Sequence, residues 1–295
     1  MRIESAVANY LLQLEADGRS AHTIGQYRRH LGLLGRWLGR RARSLRRIGP
    51  EDLARFLTSN MAQTRPDGRG KKPTSMNALR SSLRAFFAHL RRAGVLDLDP
   101  ARLIRRAICA PPPPRALSPD EDRRLARTLA KGRGRAAKRD RVLFRLMRET
   151  GIRLGSALAL DLEDLDLEKR ELTLRRVKGN QEQRVFLGRP LAGELRRYCA
   201  GRTAGPVFLG SSGHRITPRH VRRRLAEWSV KAGTSRPVSP HVLRHGFATR
   251  LYERTGDLLL VRAALGHRSL SSTMIYARVA EERLRRASAG AWQRS

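Results

Sequence analysis

The sequence predicts a mainly helical chain of two domains, the second carrying a small β-sheet. Three observations predict it. Apolar residues recur at three- and four-residue steps through residues 1–108. Four consecutive prolines, Pro111 to Pro114, interrupt the helical pattern, which resumes directly after them. Beyond that point a single stretch, Glu171 to Val177, alternates apolar and polar residues as a strand does. At 295 residues the chain is long enough for two cores.

The first domain is expected over 1–108. Ile24, Tyr27, Leu31, Leu34 and Leu38 form one apolar stripe, and Arg28, Arg29 and Arg36 fall away from it. Pro50-Glu51-Asp52 has the proline and acids suited to a first helical turn. That helix is expected to bury Leu53, Phe56, Leu57 and Met61. Thr64 to Pro73 reads as a polar loop. A further helix from about Ser75 turns Leu79, Leu83, Phe86 and Leu90 inward, leaves Arg80, Arg84 and Arg91 outside, and stops at Gly94. Residues 109–117 read as an extended polyproline linker that holds two domains apart.

The second domain is expected over 118–295. Ser118-Pro119-Asp120-Glu121 fits a capping box. Leu143, Leu146 and Met147 belong to a helix ending near Gly151. Glu171 to Val177 and Arg184 to Leu187 read as a hairpin joined by the turn residues Lys178 to Gln183, with Lys178 at its tip, and Pro206 to Leu209 as another short strand. Asp161 to Asp166 reads as a polar helix-to-strand connection. Thr217-Pro218 opens a basic helix with Arg219, Arg222, Arg223 and Arg224, and Ser239-Pro240 opens a helix rich in histidine.

Composition narrows the function. There are 62 Lys and Arg against 26 Asp and Glu, a net charge of +36. A surplus of that size needs a polyanion, and nucleic acid is the commonest one for a soluble protein. Arginine outnumbers lysine, which codon bias explains; it does not explain why acids fail to balance the bases. Cys109 and Cys199 are the only cysteines, with neither a CxxC pair nor metal-ligand spacing, which fits a reducing interior. The N-terminus has no apolar core of a signal peptide, and the apolar run at Leu258 to Val261 is broken by Arg262. Gly210-Ser211-Ser212-Gly213 does not match a nucleotide-binding loop, and no acidic pair stands out as a two-metal site.

The chemistry-bearing residues are concentrated late in the chain. His241, Arg244 and His245 sit at i, i+3 and i+4 and share a helical face, with Phe247 and Leu251 able to anchor it inward. Alone, a helical histidine is more often structural than catalytic; the HxxRH arrangement after a Ser-Pro start raises its weight. Arg153 follows the helix stop at Gly151, and in so basic a chain a surface role is its default. Two guanidinium groups, Arg153 and Arg244, suit a phosphate, because each fork donates to non-bridging oxygens and offsets charge that grows in a pentavalent transition state. Lys178 at a hairpin tip is either an ordinary turn lysine or a general acid. Tyr276, after the helix start Ser271-Ser272-Thr273, is by default half-buried packing. As a nucleophile it needs help, since a phenol of pKa about 10 is only about 0.1% ionised near neutrality. His241, His267 and the two arginines are candidates to supply that help.

Taken in order, Thr150-Gly151-Ile152-Arg153, Val177-Lys178-Gly179-Asn180, His241-Val242-Leu243-Arg244-His245-Gly246-Phe247-Ala248-Thr249, Leu265-Gly266-His267 and Ile275-Tyr276 resemble the signature of the tyrosine recombinase, or phage integrase, family. The resemblance covers essentially the whole chain. It implies an all-helical, SAM-like core-binding domain followed by an α+β catalytic domain, in the layout of the compact Xer-like members without an arm-type module. It implies cleavage and rejoining of double-stranded DNA through a 3′-phosphotyrosyl link at Tyr276. Arg153, Arg244 and His267 would hold the phosphate, Lys178 would protonate the departing 5′-oxygen, and His241 would move the tyrosine's proton. No ATP, metal or other cofactor is implied. The implied partners are duplex DNA and further protomers, four on two synapsed sites, in the cytoplasm at the nucleoid. The tail Ala280 to Ala287 resembles the segment that docks on a neighbouring protomer. Ser156 departs from the pattern: many relatives carry an acid three positions after the first arginine. Two other readings share these residues, a DNA-binding relative that has lost cleavage and a type IB topoisomerase.

Overall fold

The computed structural model describes residues 1–39, 44–109, 116–175 and 182–266. Lys178, His267, Tyr276, the tail 280–287 and the proline run 111–114 lie outside them. The chain divides into two compact units, Met1–Pro111 and Pro112–Ser295.

The first unit holds helices α1 (Ile3–Ala16), α2 (Ala21–Leu38), α3 (Pro50–Thr58), α4 (Asn60–Gln63) and α5 (Pro73–Arg92). Ser20 caps α2 by accepting the Thr23 amide at 3.3 Å. The predicted stripe of α2 turns Leu31, Leu34 and Leu38 into a core shared with Leu53, Phe56, Leu79, Leu83, Phe86 and Phe87. Tyr10 of α1 closes it, edge-on to Tyr27 at 5.6 Å and tilted against Phe86 at 5.5 Å. Gly94, with φ +68°, ends α5 where expected. Met61 is a correction: it is 42% exposed. The helix breaks at Ser59, whose extended backbone (φ −69°, ψ 151°) starts α4 in a new direction, so the spacing from Phe56 no longer sets which face Met61 is on.

The second unit is built on α7 (Arg135–Thr150), whose Val142, Leu143, Leu146 and Met147 are fully buried. Around it lie α6 (Pro119–Lys131), α8 (Leu154–Ala159), α9 (Arg189–Cys199), α10 (Pro218–Lys231), α11 (Pro240–Thr255) and α12 (Leu258–Leu265). Both capping-box bonds of α6 form: the Glu121 amide donates to Ser118 Oγ at 3.2 Å, and the Ser118 amide to Glu121 Oε2 at 3.1 Å. Strands β1 (Leu165–Asp166), β2 (Glu171–Leu174) and β3 (Gln183–Phe186) form an antiparallel sheet in that order, with Leu172 opposite Val185. Leu172, Leu174 and Val185 face the core. The expected strand at 206–209 does not form. Pro206 bridges Asp161 and Leu209 bridges Arg215 as isolated pairs. Pro206 has no amide to donate, and the segment changes partner within four residues, so no ladder builds up.

Acidic residues of this unit are turned inward onto arginines. Asp140, 1% exposed, accepts from Arg139 Nη2 at 2.6 Å, Arg224 Nε at 2.7 Å and Trp228 Nε1 at 2.9 Å. Glu194 accepts from Arg141 at 2.6 Å and Arg145 at 2.9 Å. A buried carboxylate is tolerated only with such a set of donors. Of the basic helix α10, Arg224 is thereby committed to Asp140, while Arg219, Arg222 and Arg223 remain exposed. No helix among the described residues is long and apolar enough to cross a membrane.

Candidate active site

Helix α7 ends at Gly151, which takes φ +64°, ψ 12° and donates its amide to the Met147 carbonyl at 3.0 Å. A side chain here would meet two obstacles. The left-handed backbone disfavours a Cβ, and a Cβ at this position would collide with the ring of Phe247 and press on Leu265 at 3.0 Å. The glycine therefore lets α11 and α12 close onto the end of α7. Gly151→Ala is expected to cost about 1–2 kcal/mol in backbone strain and a further ~1–3 kcal/mol in displacing Phe247. On the order of 5–10 °C of melting temperature would be lost, and a thermal melt unchanged within 1 °C would refute this packing role.

Two residues on, Arg153 caps the start of α8 with extended backbone (φ −69°, ψ 146°). Its side chain is exposed and has no hydrogen-bond or ion-pair partner among the described residues. Ser156, on the next turn, lines a cleft of about 420 Å³ with Asp161, Asp164 and Arg215. Two of the three acids of that cleft are occupied by arginines, Asp161 by Arg215 at 2.6 Å and Asp164 by Arg175 at 2.6 Å.

Arg244, in contrast, is 8% exposed. From α11 it donates Nη1 to the Gly151 carbonyl and Nη2 to the Leu265 carbonyl, both at 2.6 Å. One guanidinium thus ties the end of α7 to the end of α12 and lies two residues from Arg153 in the chain it binds. His241 stands one turn before Arg244 and is exposed. His245 is half-buried, and burial pushes its imidazole below the usual range, toward the neutral form.

Further contacts line up α7 and α11. Asp122 of α6 takes a two-pronged bond from Arg148, Nε and Nη2 both at 2.7 Å, and lies 3.3 Å from Arg250 of α11. Arg250 also donates to the Arg148 carbonyl at 2.9 Å. The hydrogen bonds that the Arg148 guanidinium donates to Asp122 hold it above its usual pKa. Asp257 caps α12, accepting the Leu259 and Leu260 amides at 2.7 and 3.0 Å. At the other end of α12, Gln183 of β3 donates Nε2 to the Ala263 and Ala264 carbonyls at 3.3 and 3.2 Å. The structure therefore brings Arg244 against the turn that carries Arg153, with His241 on the same helix. Lys178, His267 and Tyr276 lie outside the described residues. Sequence reasoning missed Asp122, Arg250 and Gln183. For the first two, the capping box at Ser118 and the spacing of Arg250 from the HxxRH run were available signals; Gln183 left none.

Residues 115–283 match the model of the phage integrase family, and residues 7–94 match that of the phage integrase N-terminal SAM-like domain. The chain belongs to the phage integrase family. It is a tyrosine recombinase, and its activity is site-specific recombination. It is 34% identical over 278 residues to the tyrosine recombinase XerC of Chromobacterium violaceum, covering 93% of this chain and 90% of that protein. It is 31% identical over 293 residues to the tyrosine recombinase XerD of Mycobacterium tuberculosis, covering 94% of each. In fold it is similar to the XerH site-specific recombinase in a post-cleavage complex with palindromic difH substrate, with TM-score 0.73 and 22% identity over 94% of this chain and 84% of that one. It is also similar to a lambda integrase dimer bound to a COC′ core site, with TM-score 0.71 and 20% identity over 91% of this chain and 96% of that one.

Proposed function

We propose that this recombinase cuts and rejoins double-stranded DNA by attack of the Tyr276 phenol on one backbone phosphate, giving a 3′-phosphotyrosyl link and a 5′-hydroxyl. Arg153 and Arg244 hold the non-bridging oxygens, and His267 donates a further hydrogen bond. Lys178 protonates the leaving 5′-oxygen, and His241 takes the proton from Tyr276. Each strand transfer exchanges one phosphodiester for another, so the bond energy is kept and neither ATP nor a metal ion enters the scheme. The observation that carries this reading is the Arg244 anchor: a buried guanidinium fixed at Gly151, two residues from Arg153, which is exposed and unengaged among the described residues. A donor fixed in advance suits a charge that develops only in the transition state. Residues 1–108 and 118–295, joined by 109–117, each bind the duplex. Four protomers on two synapsed sites complete the reaction, as paired strand exchange requires two cuts on each duplex.

The test is covalent capture. Fragments of the source genome, nicked to let the short 5′-ended strand diffuse away, are incubated with the protein in EDTA. An SDS-stable, protease-sensitive adduct at a DNA 3′ end, with the modified peptide containing Tyr276, is expected. Attachment through another residue, through a 5′ end, or only with added Mg²⁺ would overturn the reading.

A further inference from the structure

We propose that Gln183 is a positioning residue for Arg244, acting through the carbonyl end of α12; this rests on Arg244 holding the scissile phosphate. The last carbonyls of a helix have no partner within it and form its negative end. In α12 they are met from three sides. Gln183 donates to the Ala263 and Ala264 carbonyls, Arg244 donates to the Leu265 carbonyl, and the Gly266 amide returns to the Ala263 carbonyl at 3.0 Å. Three consecutive carbonyls are thus shared between a strand of the sheet and the arginine.

Among the described residues, the apolar packing of this helix is small. α12 is eight residues long. Only Val261 and Leu265 are buried, and Leu259 and Leu260 are 61% and 45% exposed. Its end is located by the buried Leu265 together with these polar contacts. Gly266 supports this arrangement independently: with φ +59°, it lets Gln183 lie flush on the turn, where a Cβ would strike the Gln183 Oε1. If Gln183 releases, the Leu265 carbonyl is free to shift, and Arg244 shifts with the acceptor it is bound to. A misplaced donor matters most where charge develops.

The experiment uses the full chain, Gln183→Met and Gln183→Glu, on a captured target duplex. Met removes the donor at similar size; Glu keeps the shape and sets a carboxylate against the helix's negative end. Single-turnover cleavage is expected to slow roughly 10- to 30-fold in Gln183→Met, more in Gln183→Glu, with DNA affinity within about two-fold. The deciding readout is a methylphosphonate at the scissile position. Replacing one anionic oxygen by methyl lowers the charge the guanidinium must offset, so the deficit of both Gln183 variants should shrink to about three-fold or less, in step with that of Arg244→Ala. A deficit equal on both substrates, or cleavage of the phosphodiester at the wild-type rate, would overturn the proposal. Failure of the underlying reading is distinct: Arg244→Ala would then itself cleave the phosphodiester like wild type.

Discussion

Tyr276→Phe is expected to bind its DNA site with unchanged affinity and to form no covalent adduct on a nicked substrate. The substitution deletes one oxygen, which is the proposed nucleophile. Both side chains are neutral near pH 7, so the number of phosphates neutralised, and with it the slope of log K against log salt, stays the same. Removal of a nucleophile typically costs on the order of 10⁴-fold or more, which places residual cleavage below detection. Binding by mobility shift over a salt series, alongside SDS gels of the adduct, separates the two effects. A persistent adduct would remove Tyr276 from the reaction. A parallel loss of binding would mean that the hydroxyl serves DNA binding or folding instead.

The second large effect is a contrast between the two arginines. Arg244→Ala removes a donor from the proposed phosphate site and also strands two backbone acceptors, the Gly151 and Leu265 carbonyls. Cleavage should fall roughly 10²- to 10³-fold, and stability by about 1–3 kcal/mol. Arg244→Lys keeps the charge but cannot span both carbonyls with a fork, so it should recover little rate. Arg153→Ala should lose a similar factor in rate with stability within ~0.5 kcal/mol of wild type, because the Arg153 side chain is exposed and unengaged among the described residues. Single-turnover rates paired with thermal melts decide it. Equal destabilisation of both variants would contradict the division of labour, and full activity in either would remove that residue from the site.

How far the sequence foretold this can be traced residue by residue. The helix stop at Gly151, the caps at Ser118 and Thr217, the helix start at Ser239-Pro240, and the β2–β3 pairing are local matters, governed by turn chemistry and periodicity that neighbouring residues spell out. The shared face of His241 and Arg244 is likewise a property of helical spacing. Arg244's anchors were illegible because its acceptors are main-chain carbonyls 93 and 21 residues away, and every residue has a carbonyl. Gln183 failed to stand out for the same reason, being one more polar residue near a turn. Asp140 looked like any surface acid; only the fold gathers Arg139, Arg224 and Trp228 around it. Met61 and the segment 206–209 went astray where a backbone direction changes within one residue, at Ser59, or where Pro206 cannot donate.

Arg244 is a rivet in the structure and a reagent in the proposed reaction, and that double duty would have a consequence for reading other chains of this shape. Selection for a sound scaffold alone would preserve such a guanidinium long after strand cutting had ceased to matter. Its presence in a sequence therefore says little about whether an enzyme still works. Arg153 has no such second job among the described residues, so decay of function should be visible there first.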